Sequence, residues 1–182
     1  TYAAVKVGDE VWILAEDLVE RVMAETEQKD HTVVATFGSA GFEKRVCNHP
    51  FMERDSLLML ADYVTVDAGT GCVHTAPGHG ADDYQTGLRY GLDILSPVDS
   101  DGVYTQDAGK YTGQKIPGVN SMINEDLASD GSLVHKSDIN HSYPHCWRCK
   151  KPVMYRATPQ WFVSMDNNDL RQKALTAIEG VT

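Results

Sequence analysis

The chain reads as an α+β protein, a compact β-barrel-like core with peripheral helices. Short β-branched and apolar runs bounded by glycine and aspartate turns fill much of its first half. Stretches with helical spacing are dispersed among and after them, and no internal repeat or low-complexity tract suggests another organisation. Many short strands with scattered helices point to a curled or barrel-like sheet.

The elements follow from local signals. Ala3 to Val7 and Glu10 to Leu14 alternate around Gly8-Asp9, a hairpin signal. Leu18, Val19, Val22 and Met23 fall at helical spacing and predict a short amphipathic helix, closed by the polar run Glu25 to Asp30. Thr32 to Phe37 is β-branched enough for a strand, stopped by Gly38-Ser39-Ala40-Gly41. Leu57 to Ala61 and Tyr63 to Val66 lead into a turn, Asp67-Ala68-Gly69-Thr70-Gly71, beyond which Cys72 and Val73 resume a strand. Pro77, Gly78 and Gly80 forbid regular structure until a helix begins near Ala81 and runs to Tyr90, with Gly91 as its stop. Asp99 to Gly102 and Ser129 to Gly131 are turns, and Ile123 to Ala128 is helical between them. His141 to Cys149 suits a small knuckle, and a last helix from Asp169 to Ile178 puts Leu170, Ala174 and Ile178 on one face.

Composition sets limits on function. At 182 residues the chain is one domain by length and can bury a core without staples. No run approaches the roughly 18 apolar residues of a membrane span, and no signal peptide is recognisable, so no membrane partner is expected. Four cysteines are too few for a secreted disulfide framework of this size, which points to a reducing cytoplasm. Cys47 and Cys72 sit among apolar neighbours and are expected to be buried thiols. A net charge of −10 argues against broad nucleic-acid binding, which depends on lysine and arginine neutralising phosphates. Any contact with nucleic acid must be local.

Chemistry concentrates in Thr65 to Tyr84, TVDAGTGCVHTAPGHGADDY. Its pattern predicts His74 at a strand end and Asp83 in a first helical turn, nine residues on, facing one loop-lined pocket. Asp83 could be no more than an acidic residue favoured at a helix start, a contribution of up to about 1 kcal/mol. His74 could orient or deprotonate a water, or simply be a hydrogen-bonded histidine. His79 and Asp82 flank them as turn and surface residues or as substrate contacts. Gly69, Thr70 and Gly71 permit close backbone approach, which a turn alone also explains. Cys146 and Cys149 have the spacing of half a zinc site, with His141 and His145 near enough in sequence to complete it.

GTGCVHTAPGHGADDY closely resembles the signature of the editing domain inserted in the catalytic core of isoleucyl-tRNA synthetases. Valyl and leucyl enzymes carry related versions, and the TAPGHG wording favours the isoleucyl branch. The stretch from Cys146 to Met165 resembles the segment in which that family's chain returns to its core. The resemblance implies an editing body over 1–140, a cysteine knuckle over 141–155, and a return segment with terminal helix over 156–182. It implies hydrolysis of mischarged valyl-tRNA(Ile) at the aminoacylated 3′ end, with the rest of the synthetase as partner. In that reading Asp83 binds the α-ammonium of the esterified valine, since a carboxylate is a poor base at neutral pH but a stable counter-ion. His74 lines the pocket beside the amino acid and ribose, and Gly69, Thr70, Gly71, Thr75, His79 and Asp82 contact substrate.

The editing reaction implied needs no cofactor; zinc would be structural, held in part by Cys146 and Cys149. Some family members complete that site with a second C-x-x-C pair lying upstream. ATP and magnesium would serve only the parent synthetic core, whose HIGH-type and KMSKS-type motifs do not occur here. The family's threonine-rich pocket strand is expected upstream of Thr1, so competence is expected of the parent enzyme rather than of this chain alone. No G-x-S-x-G elbow is present to suggest an acyl-enzyme. Two other readings remain: a metal-dependent hydrolase using His74, His79, Asp82 and Asp83, and a non-catalytic zinc-knuckle interaction module. Against the first, Pro77 and Gly78 preclude a helical H-E-x-x-H arrangement.

Overall fold

The computed structural model describes residues 1–181. The first hairpin forms as its pattern dictates: β1 (Tyr2–Val7) and β2 (Glu10–Ala15) pair antiparallel from Val7↔Glu10 to Tyr2↔Ala15. Gly8 takes the positive φ of +57° that opens so short a turn. β3 (His31–Phe37) joins the other edge of β1, giving the order β2-β1-β3. Pairing shifts between Ala4↔Ala35 and Val5↔Val33, which leaves Val34 as the extra residue of a bulge.

Helix α1 (Val19–Glu25) covers one face of this sheet, because its Val19, Val22 and Met23 meet Ala3, Val5, Val7 and Leu14 in the main core. Burying side chains of this size gives about 1.5–3 kcal/mol each. A second, smaller core gathers Ala108, Tyr111 and Val119 with Phe51, Tyr104, Ile116 and Ile123 around it. There α3 (Val119–Ser129) is longer than the expected Ile123 to Ala128, because buried Val119 anchors an extra turn.

Among the described residues the barrel is not formed. Closure needs an unbroken ladder of paired strands, and the chain has a three-stranded sheet and a separate ribbon of β4 (Val46–Asn48) with β5 (Asp55–Leu57). The strands expected at Tyr63 to Val66 and at Cys72 to Val73 are absent, and the path from 58 to 80 is irregular. Some of its backbone groups are satisfied outside any ladder: the Thr70 carbonyl accepts from the Ala15 amide at 2.8 Å, and the Ala61 carbonyl from Val64.

Helix α2 (Ala81–Tyr90) ends at Gly91, in the left-handed region at φ +70°, as expected. Helix α4 (Leu170–Glu179) forms where its periodicity placed it, but none of its residues is buried. Nor are Cys47 and Cys72 buried residues: both are exposed, Cys47 because its ribbon has no covering layer and Cys72 because its strand does not form. The Cys72 thiol itself turns back toward the Ile13 carbonyl at 4.0 Å, and desolvation there pushes its pKa up. Among the described residues no helix is long and apolar enough to cross a membrane.

Candidate editing site

The signature loop is held at three places. At its start, the Tyr2 hydroxyl donates to the Gly71 carbonyl at 2.7 Å beside the Thr70–Ala15 bond, pinning the turn to the open end of the first hairpin. Gly71 is doubly required there: its φ is +76°, and a Cβ would lie 2.5 Å from that of Ala15.

At the middle of the loop, the Ala76 amide donates to Asp83 Oδ2 at 3.0 Å. Asp83 stands in the first turn of α2 after the Gly80 cap, so one carboxylate oxygen fastens the loop to the helix that follows it. Gly87, one turn on, lets α2 lie against Pro77, where a Cβ would meet the ring at 2.8 Å.

At its end, Gly78 packs against the Leu95 backbone so closely that no side chain fits, and its carbonyl accepts from the Ala157 amide at 2.7 Å. His79 Nδ1 donates to the Tyr155 carbonyl at 2.9 Å.

The expected residues are thus distributed along one loop rather than gathered in a closed pocket. Asp83 and Ala76 are joined, and His74 lies exposed two residues before Ala76. Thr75 Oγ1 shares a 3.2 Å hydrogen bond with the Tyr63 hydroxyl. Asp82 is exposed in the first turn of α2, while His79 is turned toward the later segment at Tyr155. The set His74, His79, Asp82 and Asp83 does not converge: among the described residues no three or more His, Cys, Asp or Glu side chains form a metal-holding group.

Sequence reasoning missed Tyr2, Tyr63 and His49. His49 Nδ1 accepts from the amides of Phe51 at 3.3 Å and Met52 at 3.1 Å. Its pKa is held below the usual imidazole value by burial first, then by the positive charges of Arg54 and His74. A histidine followed by proline between two short apolar runs was the signal available for it.

A family model described as leucyl-tRNA synthetase, editing domain, matches residues 13–136, from β2 through α3 and just beyond it. The isoleucine–tRNA ligase of Desulfotalea psychrophila is 67% identical over 181 residues, covering 100% of this chain and 19% of that protein. That of Kosmotoga olearia is 56% identical over 178 residues, 98% of this chain and 19% of the relative. That of Petrotoga mobilis is 52% identical over 180 residues, 99% and 20% respectively. The chain belongs to the synthetase editing-domain family, in its isoleucyl branch. It spans about one fifth of the length of these curated relatives.

The signature loop and α2 lie inside the matched stretch of the editing domain, and the knuckle and α4 lie beyond it. In the knuckle the Cys146 amide donates to the Lys151 carbonyl and its carbonyl accepts from Lys150, both at 2.8 Å, around Lys150 at φ +59°. The amides of Cys149 and Arg148 and the Cys149 thiol turn toward the Cys146 sulfur and lower its pKa. Thiolate-stabilising amides of this kind suit a metal ligand. The pair nevertheless supplies two ligands where a structural zinc takes four. His141 Nδ1 is engaged with the Ser142 carbonyl and His145 Nδ1 with that of Tyr143, and neither histidine joins the cysteines in a three-ligand group.

Proposed function

We propose that this editing domain hydrolyses the ester between valine and the terminal adenosine of tRNA(Ile), within an isoleucyl-tRNA synthetase. The observation that carries the reading is the Asp83–Ala76 bond. It holds one carboxylate oxygen to the loop and leaves Oδ1 for the substrate. Support comes from the signature wording and from isoleucine–tRNA ligases as relatives over the full length of the chain.

The physical need for a second site is clear. Valine differs from isoleucine by one methylene, worth about 1–3 kcal/mol in an apolar pocket, a figure for which isoleucyl-tRNA synthetase is itself the standard example. In our reading, water attacks the ester carbonyl, the carbon–oxygen bond to the ribose breaks, and the ribose oxygen takes up a proton. Asp83 Oδ1 holds the valine ammonium. His74 positions the water and the ribose, and Thr75, oriented by Tyr63, stands beside it. Gly69, Thr70 and Gly71 offer backbone groups to the adenosine, with His79 and Asp82 flanking.

The chemistry in this reading is carried by side chains and water. Zinc, where the parent supplies two further ligands, would brace the Cys146–Cys149 knuckle, and ATP with magnesium would serve the parent's synthetic core. The remainder of the synthetase would cover Trp161, Phe162 and Leu170, Leu175 and Ile178 of α4, all of which stand exposed. A cytoplasmic location fits a tRNA substrate.

The test is deacylation by the full-length parent enzyme. Valyl-tRNA(Ile) should be hydrolysed and isoleucyl-tRNA(Ile) largely spared; equal rates on both would refute the proposal.

A further inference from the structure

The third anchor of the signature loop comes from residues 155–157, outside the matched editing stretch of 13–136. Three consecutive residues there each hold a different neighbour. The Tyr155 carbonyl accepts from His79 Nδ1 at 2.9 Å, Arg156 Nε donates to the Val98 carbonyl at 2.7 Å, and the Ala157 amide donates to the Gly78 carbonyl at 2.7 Å. The end of the loop is thereby tied to the segment 95–98, against whose Leu95 and Ser96 backbone Gly78 is already packed.

One side of this clamp is fixed. Val98 is 3% exposed and bridges antiparallel to Tyr104. On either side of it the Pro97 carbonyl accepts from the Thr105 amide and the Asp99 amide donates to the Val103 carbonyl, both at 2.9 Å. The loop side has no such ladder. Between the Asp83–Ala76 bond and the clamp, Pro77 to Gly80 forms no strand, and its one internal backbone bond runs from the His79 amide to the Ala76 carbonyl at 2.8 Å. The position of so short an irregular span follows from the few bonds that grip it.

Arg156 joins the two sides. It is half-buried, forms no ion pair among the described residues, and reaches Val98 through Nε. Its role at this point is geometric: it seats residue 156, and with it the flanking groups that hold His79 and Gly78. Small displacements matter here, because a shift of about 1 Å in a reacting site can cost about 100-fold in rate.

We propose that Arg156 is a positioning residue for the hydrolytic site. Through Val98 it sets the place of residues 155–157, and through their hold on Gly78 and His79 it sets the place of the signature loop between His74 and Asp83. The consequence for rate rests on the hydrolytic reading; the hold on the loop does not.

The test uses the full-length parent. Arg156→Met keeps the stem and removes the donor. Its kcat for valyl-tRNA(Ile) hydrolysis should fall roughly tenfold with KM within about twofold, the pattern of lost alignment rather than lost binding. Arg156→Lys, which keeps a donor on a stem of similar length, should recover most of kcat. Hydrogen exchange in the peptide 76–84 of Arg156→Met should quicken roughly fivefold, the factor that about 1 kcal/mol makes, with the peptides of β1 unchanged. Should Arg156→Met not fold, Ala157→Pro, which deletes the amide donor to Gly78, is read in the same way. A raised KM with unchanged kcat would make Arg156 a charge contact, and equal quickening in β1 would make it a general stability residue. Wild-type exchange in 76–84 would leave the loop unheld by it. Each of these overturns the proposal. A parent that does not hydrolyse valyl-tRNA refutes the hydrolytic reading instead, and the exchange result still decides whether Arg156 holds the loop.

Discussion

Asp83 Oδ2 and the Ala76 amide lie 3.0 Å apart, so a single carboxylate closes the loop from 76 to 83 and turns α2 against it. Its two oxygens therefore have separable tasks. Asp83→Asn keeps an oxygen acceptor for Ala76 but loses the charge. Its stability should stay within about 1 kcal/mol of wild type, the usual worth of one hydrogen bond. Loss of a charged partner should nonetheless lower valyl-tRNA hydrolysis by the full-length enzyme at least tenfold, about 1.4 kcal/mol. Truncating such a partner elsewhere costs about 2–5 kcal/mol or more. Isoleucine activation should not change. Near-normal hydrolysis by Asp83→Asn would make Asp83 a structural latch only.

Gly71 and Gly69 separate backbone strain from crowding. Both have positive φ, +76° and +68°, but a Cβ at 71 strikes Ala15 at 2.5 Å while one at 69 meets nothing within 4 Å. Gly69→Ala should cost about 1 kcal/mol, the strain of a left-handed residue. Gly71→Ala should cost clearly more, because the loop must also lift from the hairpin and release Tyr2. Urea midpoints of the two variants give the comparison, and equal shifts would mean the loop is not pinned.

The thiols should react in a set order. Amide donors lower the Cys146 pKa, while desolvation raises that of Cys72. Since the thiolate is the nucleophile, iodoacetamide at neutral pH should modify Cys146 well before Cys72, as read by peptide mass spectrometry. Cys146→Ser with Cys149→Ser should leave the cooperative unfolding transition in place, because neither cysteine belongs to either core. Loss of that transition would show the knuckle to be integral to the fold.

Acid should weaken the second core through Asp126. The Tyr111 hydroxyl donates to its Oδ2 at 2.7 Å and Lys110 lies 2.9 Å away, and in that order they hold the carboxyl below its ordinary 3.8. A depressed folded pKa stabilises the protein above the unfolded value, and the gain is lost as pH falls through the folded one. Stability should thus decline below about pH 4 by linkage. In Asp126→Asn that part of the decline should vanish, measured as the urea midpoint from pH 6 to pH 2.5. An identical acid slope in the variant would exclude Asp126 as its source.

The sequence by itself determined the elements whose signals are local. The Gly8-Asp9 turn set the register of β1 and β2, 3.6-residue spacing marked α1 and α4, and Pro77 with Gly80 placed the start of α2. It also marked the signature loop, because glycine, proline and paired aspartates in so short a span announce irregular, rigidly flanked backbone. Tertiary structure alone decided the rest. Val64, Val66, Cys72 and Val73 carry strand-forming side chains, yet a strand exists only where a partner ladder is within reach, and their stretch bonds instead to the hairpin end and to its own turns. The same holds for the contacts that build the site: Tyr2 meets Gly71 across 69 residues and His79 meets Tyr155 across 76. A hydrogen bond between distant segments imposes no periodicity on either one, so it leaves no local pattern to read. Only the folded chain shows which polar groups found one another.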